Sequence, residues 1–161
     1  MERLVRSIYK KQSGYVFAKN AEQITREYGI KRIARLASNE NPELPSSLAI
    51  SAAEQALKTA NRYPDKQVNS LTNALKAHFG DYNFVIGVGM DGVIETLFRM
   101  LVDPGESVAI ATPTFSFYGL AAVAQGAKVI SINRKKDFSI PSEKIIRQGK
   151  KAKITIICSP N

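Results

Sequence analysis

The fold of this 161-residue chain is decided by residues 84–92, which read FVIGVGMDG. A short apolar run leads into a glycine turn, and apolar residues at helical spacing continue from there to Leu101. A change from a strand pattern to a helix pattern across such a turn is typical of an α/β unit. Glycines let the backbone approach an anion, and free N–H groups at a helix start can hold it. The turn therefore predicts either a phosphate site or a tight turn without a ligand.

The alternation of strand and helix continues downstream of the turn. It predicts strands at residues 83–86, 107–111, 128–132 and 154–158, and helices at 91–101, 115–125 and 142–148, the last with Ser142 as its N-cap. Upstream, the pattern predicts an extended arm, helices at 21–28, 46–60 and 68–79, and a short strand at 33–36. Such alternation predicts an α/β fold with a mainly parallel sheet flanked by helices on both faces.

The composition excludes several classes of protein. Hydrophobic residues make up 44% of the chain and charged residues 23%, which suits a globular domain. No apolar run is long enough to cross a membrane, and the charged N-terminus does not resemble a signal peptide. The single cysteine, Cys158, has no C-x-x-C partner, so neither an internal disulfide nor a metal site is predicted. We expect a cytoplasmic protein without a membrane partner.

Two alternative functions follow from the turn and from the charge. Gly87, Gly89 and Gly92 match G-x-G-x-x-G, the fingerprint of NAD(P)-binding Rossmann domains. That fold requires an acidic residue at the end of the next strand, but the strand predicted at 107–111 runs into Thr112 and Pro113. The net charge of +9 suggests a basic module that binds anions or nucleic acid. We expect a solvated surface and no nucleic-acid partner, because the basic residues fall mainly at the two ends of the chain.

Six short segments in a fixed order carry a more specific resemblance. They are LASNENP at 36–42, RYPD at 62–65, GVGMD at 87–91, DPGE at 103–106, PTFSFY at 113–118 and CSPN at 158–161. Together they resemble the histidinol-phosphate aminotransferases, which are pyridoxal-phosphate-dependent enzymes of fold type I. Threonine-phosphate decarboxylases share several of these segments. The resemblance implies the front part of the large domain of such a transferase, with an N-terminal arm.

The resemblance also implies a cofactor site. The phosphate of pyridoxal 5'-phosphate would rest on backbone amides at Gly89, Met90 and Asp91, where the helix dipole is positive. Phe115 would stack on the pyridine ring of the cofactor. Tyr63 would reach the cofactor phosphate of a partner subunit, which implies a homodimer with shared active sites. Without the resemblance, the residues favour Phe115 as a core aromatic, and Tyr63 could be a half-buried turn residue.

The implied reaction is transamination between histidinol phosphate and a 2-oxo acid such as 2-oxoglutarate, in histidine biosynthesis. Asn39 would face the substrate, and Tyr15 would contact the phosphate of the amino-acid phosphate. Residues 1–35 would form the arm and a small-domain segment, and residues 36–161 part of the cofactor-binding domain. The lysine that forms the Schiff base is expected beyond residue 161, so no catalytic residue is assigned and the chain alone should be inactive. Gly92 departs from the family pattern, which has Glu at this position.

Overall fold

The computed structural model describes residues 4–11, 14, 19–34, 36 and 38–161. The chain divides into two compact units, a helical unit of residues 17–84 and a sheet unit of residues 1–16 and 85–161. The helical unit contains α1 (Ala21–Tyr28), α2 (Ser47–Leu57) and α3 (Asn69–Phe79). The sheet unit contains a 3-10 helix (Ser7–Lys11), α4 (Gly89–Leu101), β1 (Ser107–Thr112), α5 (Phe117–Gln125), β2 (Lys128–Asn133), α6 (Ser142–Gly149) and β3 (Ile154–Ile156).

The sheet has the order β2-β1-β3, and both strand pairs are parallel. Val108 of β1 lies opposite Val129 of β2 on one side and Ile154 of β3 on the other. Parallel pairing of β1 with both neighbours confirms the mainly parallel sheet predicted from the alternation of strand and helix.

Helices cover both faces of β1, as its residue pattern requires. Val108 and Ile110 pack with Phe98 of α4 and Ala122 of α5 in one core cluster. Ala109 and Ala111 face the opposite side, where they form a second cluster that includes Ile145 of α6. Successive side chains of a strand point to opposite faces, so an unbroken apolar run such as β1 needs an apolar layer on each side. The α/β fold class is therefore confirmed.

Two of the predicted strands are wrong. Residues 83–86 are irregular and lead directly into the glycine turn, and the described residues of 33–36 form no strand either. A strand requires a hydrogen-bonded neighbour, and the three-stranded sheet is built from β1, β2 and β3 alone within the described ranges. An apolar run predicts burial, but it does not guarantee a pairing partner.

The helix boundaries differ from prediction by a few residues at most positions. α1 matches its predicted range and ends at Gly29, which has a left-handed backbone with φ 69°. The prediction that Ser142 caps α6 is wrong, because Ser142 is the first helical residue and the extended Pro141 precedes it as N-cap. α2 is shorter than predicted, since residues 58–60 make turn-type hydrogen bonds instead. None of the helices in the described ranges is both long and apolar enough to cross a membrane.

The start of α3 depends on one carboxylate in the helical unit. Val68 precedes the helix with a left-handed backbone, φ 47°, and caps it with no side-chain hydrogen bond. Asp65 replaces such a cap: its Oδ2 accepts from the N–H of Asn69 at 3.0 Å and its Oδ1 from the N–H of Gln67 at 3.1 Å. The bond from Asn69, then that from Gln67, lowers the pKa of Asp65 below its ordinary value.

Acid should therefore loosen α3 through Asp65. Because the pKa of this carboxyl is lower in the folded chain, its stabilisation is present above the unfolded-state pKa and is lost as pH falls through the folded-state pKa. We expect the free energy of unfolding to decrease as pH falls below 3.8, the ordinary pKa of an Asp side chain, and to decrease less in Asp65→Asn, which keeps an acceptor oxygen but does not titrate. Denaturant unfolding at a series of pH values measures this, and equal acid losses in the two proteins would contradict it.

Candidate functional site

The glycine turn lies at the start of α4, in the sheet unit. The helix begins at Gly89, and Val88 before it makes no side-chain cap. The first N–H groups of an α-helix have no partner within the helix, so those of Gly89, Met90 and Asp91 are available to an anion. Gly89 has φ 67°, a left-handed conformation that favours glycine. The three consecutive residues predicted to hold a phosphate are therefore placed at a helix N-terminus.

The three glycines of the turn are not equally constrained. A Cβ at Gly87 would lie 2.9 Å from the backbone nitrogen of Val93, closer than real side chains approach, and a tight 3.1 Å from the carbonyl carbon of Gly92. A Cβ at Gly92 would lie 3.6 Å from the Cβ of Val88, which is ordinary contact. Packing thus requires glycine at 87 and backbone conformation favours it at 89. Neither requires it at 92, so the third glycine of the dinucleotide fingerprint has no steric reason here.

Phe115 lies in the loop between β1 and α5. Its ring is half-buried and packs against the core cluster of the sheet unit. The ring of Tyr118 meets it edge-on at 5.6 Å, and the ring of Phe117 lies tilted at 6.0 Å. Phe115 is thus held in a fixed aromatic group, as a ring-stacking residue requires. Its contact with the core also agrees with the alternative that Phe115 is simply a core aromatic.

The ends of β1 and β3 are joined by side chains that the sequence did not single out. The Thr114 hydroxyl donates to Oδ1 of Asn161 at 2.5 Å, and Nδ2 of Asn161 donates to the Pro113 carbonyl at 3.2 Å. At the end of β2, the Thr112 hydroxyl donates to Oδ1 of Asn133 at 3.2 Å. Carboxyl ends of parallel strands meet at one edge of a sheet, where the ligands of open α/β folds bind. Thr114 and Asn161 lie in two of the six segments that carry the resemblance, but nothing in the sequence predicted that they would contact each other.

A tyrosine and the single cysteine meet beside this edge. The interaction of the Tyr118 hydroxyl with the Cys158 side chain, followed by burial, raises the pKa of Tyr118 above its ordinary value. The Cys158 thiol also donates a hydrogen bond to the carbonyl oxygen of Pro160, at 3.2 Å. Tyr118 therefore stays protonated at neutral pH.

An apolar groove of about 390 Å³ runs between α4 and β3. Its walls are almost entirely aliphatic or aromatic, and include Met90, Leu97, Leu101, Tyr118 and Ile156. Because the side chains of the groove are mostly apolar, we distinguish it from the anion site, which consists of backbone amides at the start of α4. Met90 and Tyr118 nevertheless line the same groove, so the start of α4 and the first turn of α5 lie on the same side of the sheet unit.

The remaining predicted site residues are placed differently. Tyr63 lies in the helical unit after α2, and its side chain is 100% exposed. Asn39 lies in an exposed turn of the same unit and has φ 51°, a conformation that Asn tolerates better than most residues. Tyr15 is outside the described residues. The structure thus brings together Met90 and Tyr118, and separately Thr114 and Asn161, within the sheet unit.

The sequence of the chain matches known proteins over its whole length. The aminotransferase class I and II family matches residues 31–161. A histidinol-phosphate aminotransferase of Methanoculleus marisnigri is 52% identical over 161 residues, which are all of this chain and 46% of that protein. The enzyme of the same name from Methanocorpusculum labreanum is 46% identical, with the same coverage of both. The chain therefore spans about half the length of the curated relatives it matches.

Solved structures agree with the fold. A histidinol-phosphate aminotransferase from Sinorhizobium meliloti, solved in complex with pyridoxal-5'-phosphate, superposes with a TM-score of 0.77 over 94% of this chain and 41% of its own, at 21% identity. An aminotransferase from Mycobacterium tuberculosis superposes with a TM-score of 0.69 over 86% of this chain and 38% of its own, at 18% identity. The family match covers the glycine turn, all three strands and every helix of the sheet unit from α4 onward. This chain belongs to the aminotransferase class I and II family.

Proposed function

We propose that the protein acts as a pyridoxal-phosphate-dependent aminotransferase, converting histidinol phosphate with a 2-oxo acid such as 2-oxoglutarate in histidine biosynthesis. The observation that carries the proposal is the 52% identity to a histidinol-phosphate aminotransferase across every residue of this chain. Because the relatives are about twice as long, the activity is proposed for the whole protein. The family match does not favour the Rossmann alternative, and the Gly92 geometry gives it no support.

The phosphate end of the cofactor fits the start of α4. An approaching phosphate needs a backbone without side chains in its way, and the turn excludes a Cβ at Gly87 and has a left-handed Gly89. The amides of Gly89, Met90 and Asp91 would donate to the phosphate oxygens at the positive end of the helix dipole. No side chain competes for these amides as a cap. Bound here, pyridoxal phosphate would supply an electron sink for the amino-bearing carbon of the substrate.

The ring end of the cofactor fits the loop after β1. Phe115 would offer its flat face to the ring, and its packing against Tyr118 would fix the orientation of that face. Asn161 braces the same loop through Thr114 and Pro113. In this proposal the residues of the chain bind and orient the cofactor.

The proposal extends to contacts with the substrate and with a partner subunit. Full exposure of the Tyr63 side chain suits a residue that reaches a partner subunit, as expected for a cytoplasmic homodimer with shared sites. Asn39 and Tyr15 would contact the substrate. We further propose that residues 1–35 serve as the arm of the enzyme and residues 36–161 as part of its cofactor-binding domain.

A hybrid enzyme tests this function. Residues 1–161 replace the aligned 46% of the Methanoculleus marisnigri protein, and the unmodified relative is the control. We expect formation of glutamate from 2-oxoglutarate that depends on both histidinol phosphate and added pyridoxal phosphate. A folded hybrid that binds no pyridoxal phosphate would contradict the proposal. Release of carbon dioxide from threonine phosphate would instead favour the decarboxylase alternative.

A further inference from the structure

Arg134 occupies a junction between all three strands of the sheet. It directly follows β2, and its backbone N–H donates to the carbonyl of Thr112 at 2.7 Å, at the end of β1. This bond continues the β1–β2 ladder by one residue, since Thr112 pairs with Asn133. The backbone of Arg134 is therefore fixed against the central strand.

The guanidinium of Arg134 reaches past the end of β1. Nη2 donates to the carbonyl of Cys158, beyond β3, at 3.3 Å, and Nη1 donates to the carbonyl of Phe138 at 3.2 Å. β2 and β3 lie on opposite sides of β1 and share no ladder in the order β2-β1-β3. This one side chain therefore links two segments that the sheet itself does not join.

The segment held through Cys158 carries Asn161. Asn161 in turn contacts Thr114 and Pro113 in the loop after β1. Arg134 is therefore connected to that loop through the segment after β3. That loop also presents Phe115. Displacing the carbonyl of Cys158 would therefore move the support of the loop that bears the proposed ring-stacking residue.

We propose that Arg134 is a positioning residue, whose guanidinium holds the segment after β3 so that Asn161 braces the Phe115 loop. The inference rests on the proposed function for its role toward the cofactor. Arginine suits the task because its planar fork offers separate donors to two carbonyl oxygens, whereas a lysine ammonium is a single point charge. The Nε of Arg134 is buried without a hydrogen-bond partner among the described residues, a cost that the two charged hydrogen bonds offset.

The single thiol of the chain gives a direct test. Cys158 is the only cysteine, it is half-buried, and its carbonyl accepts from Arg134. In the 161-residue chain, Arg134→Gln should raise the rate of Cys158 reaction with 5,5'-dithiobis(2-nitrobenzoate) by about tenfold, since it removes charged hydrogen bonds to the segment. Arg134→Lys should restore part of the slow rate. Arg147→Gln removes the same charge from an exposed position on α6 and should leave the rate unchanged.

Two further measurements separate positioning from general stability and from the proposed function. Ile145→Val loosens the core under α6, and a matching increase in thiol rate in this variant would overturn the inference. An unchanged rate in Arg134→Gln would overturn it as well. In the hybrid enzyme, Arg134→Gln should weaken pyridoxal phosphate binding several-fold. If the unsubstituted hybrid binds none, the proposed function fails, and the thiol rates still decide whether Arg134 holds the segment.

Discussion

Replacing Gly87 with alanine is expected to destabilise the sheet unit by about 1–3 kcal/mol, the usual cost of forcing a group into a filled space. The added Cβ would lie 2.9 Å from the Val93 nitrogen, within the backbone of the first turns of α4. The helix start must shift to accommodate it, and with it the amides of Met90 and Asp91. In the hybrid enzyme we expect at least about a tenfold loss of affinity for pyridoxal phosphate, because an anion site on backbone amides depends on their alignment. Thermal unfolding and cofactor titration measure the two effects.

Gly92→Ala is the matched control for this prediction. The same methyl group is added five residues later in the same turn and helix, where it meets only ordinary contacts. Alanine at a helical position is favoured over glycine by up to about 1 kcal/mol, so this variant should be at least as stable as the unsubstituted protein. Equal behaviour of the two variants would show that crowding at Gly87 does not shape the site.

Phe115→Ala is expected to have the second large effect, since it removes packing and stacking together. The half-buried ring contacts the core cluster, and we expect a loss of about 2 kcal/mol in the free energy of unfolding, below the range for a fully buried Phe. In the hybrid enzyme, loss of an aromatic face should weaken pyridoxal phosphate binding by about tenfold. The measurements are denaturant unfolding and cofactor titration.

Phe115→Leu separates the two contributions. Leucine fills most of the volume and should cost less than about 1.5 kcal/mol in stability. It lacks a flat aromatic face, so its cofactor affinity should fall nearly as far as that of the alanine variant. Retention of full affinity in Phe115→Leu would mean that Phe115 serves the core and not the cofactor ring.

The features predicted well from the sequence are those that depend only on residues close together in the chain. The apolar run of β1 requires an apolar layer on both faces. Helices α4 and α5 cover one face, and α6 covers the other. The glycine turn could be interpreted as an anion site because its amides and its conformation lie within a few residues of each other. The same local logic failed at residues 83–86, where strand formation depends on a neighbour that the local pattern does not specify.

The side-chain links at the sheet edge could not be predicted in the same way. Arg134 and Cys158 are 24 residues apart, and Thr114 and Asn161 are 47 residues apart. Their meeting depends on the strand order, which places β1 between β2 and β3. Alternation of strand and helix predicts parallel strands but not their order, so these contacts became visible only in three dimensions.

The apolar groove beside β3 has a consequence for how the chain behaves in concentrated solution. The groove is lined by Met90, Leu101 and Ile157, which are 66%, 47% and 51% exposed, and β3 pairs with β1 alone within the described sheet. An uncovered strand edge bordered by exposed apolar side chains can pair with a strand of another molecule. Chains on which this surface is not covered should therefore self-associate. The yield of unaggregated protein should depend on protein concentration as much as on the free energy of unfolding.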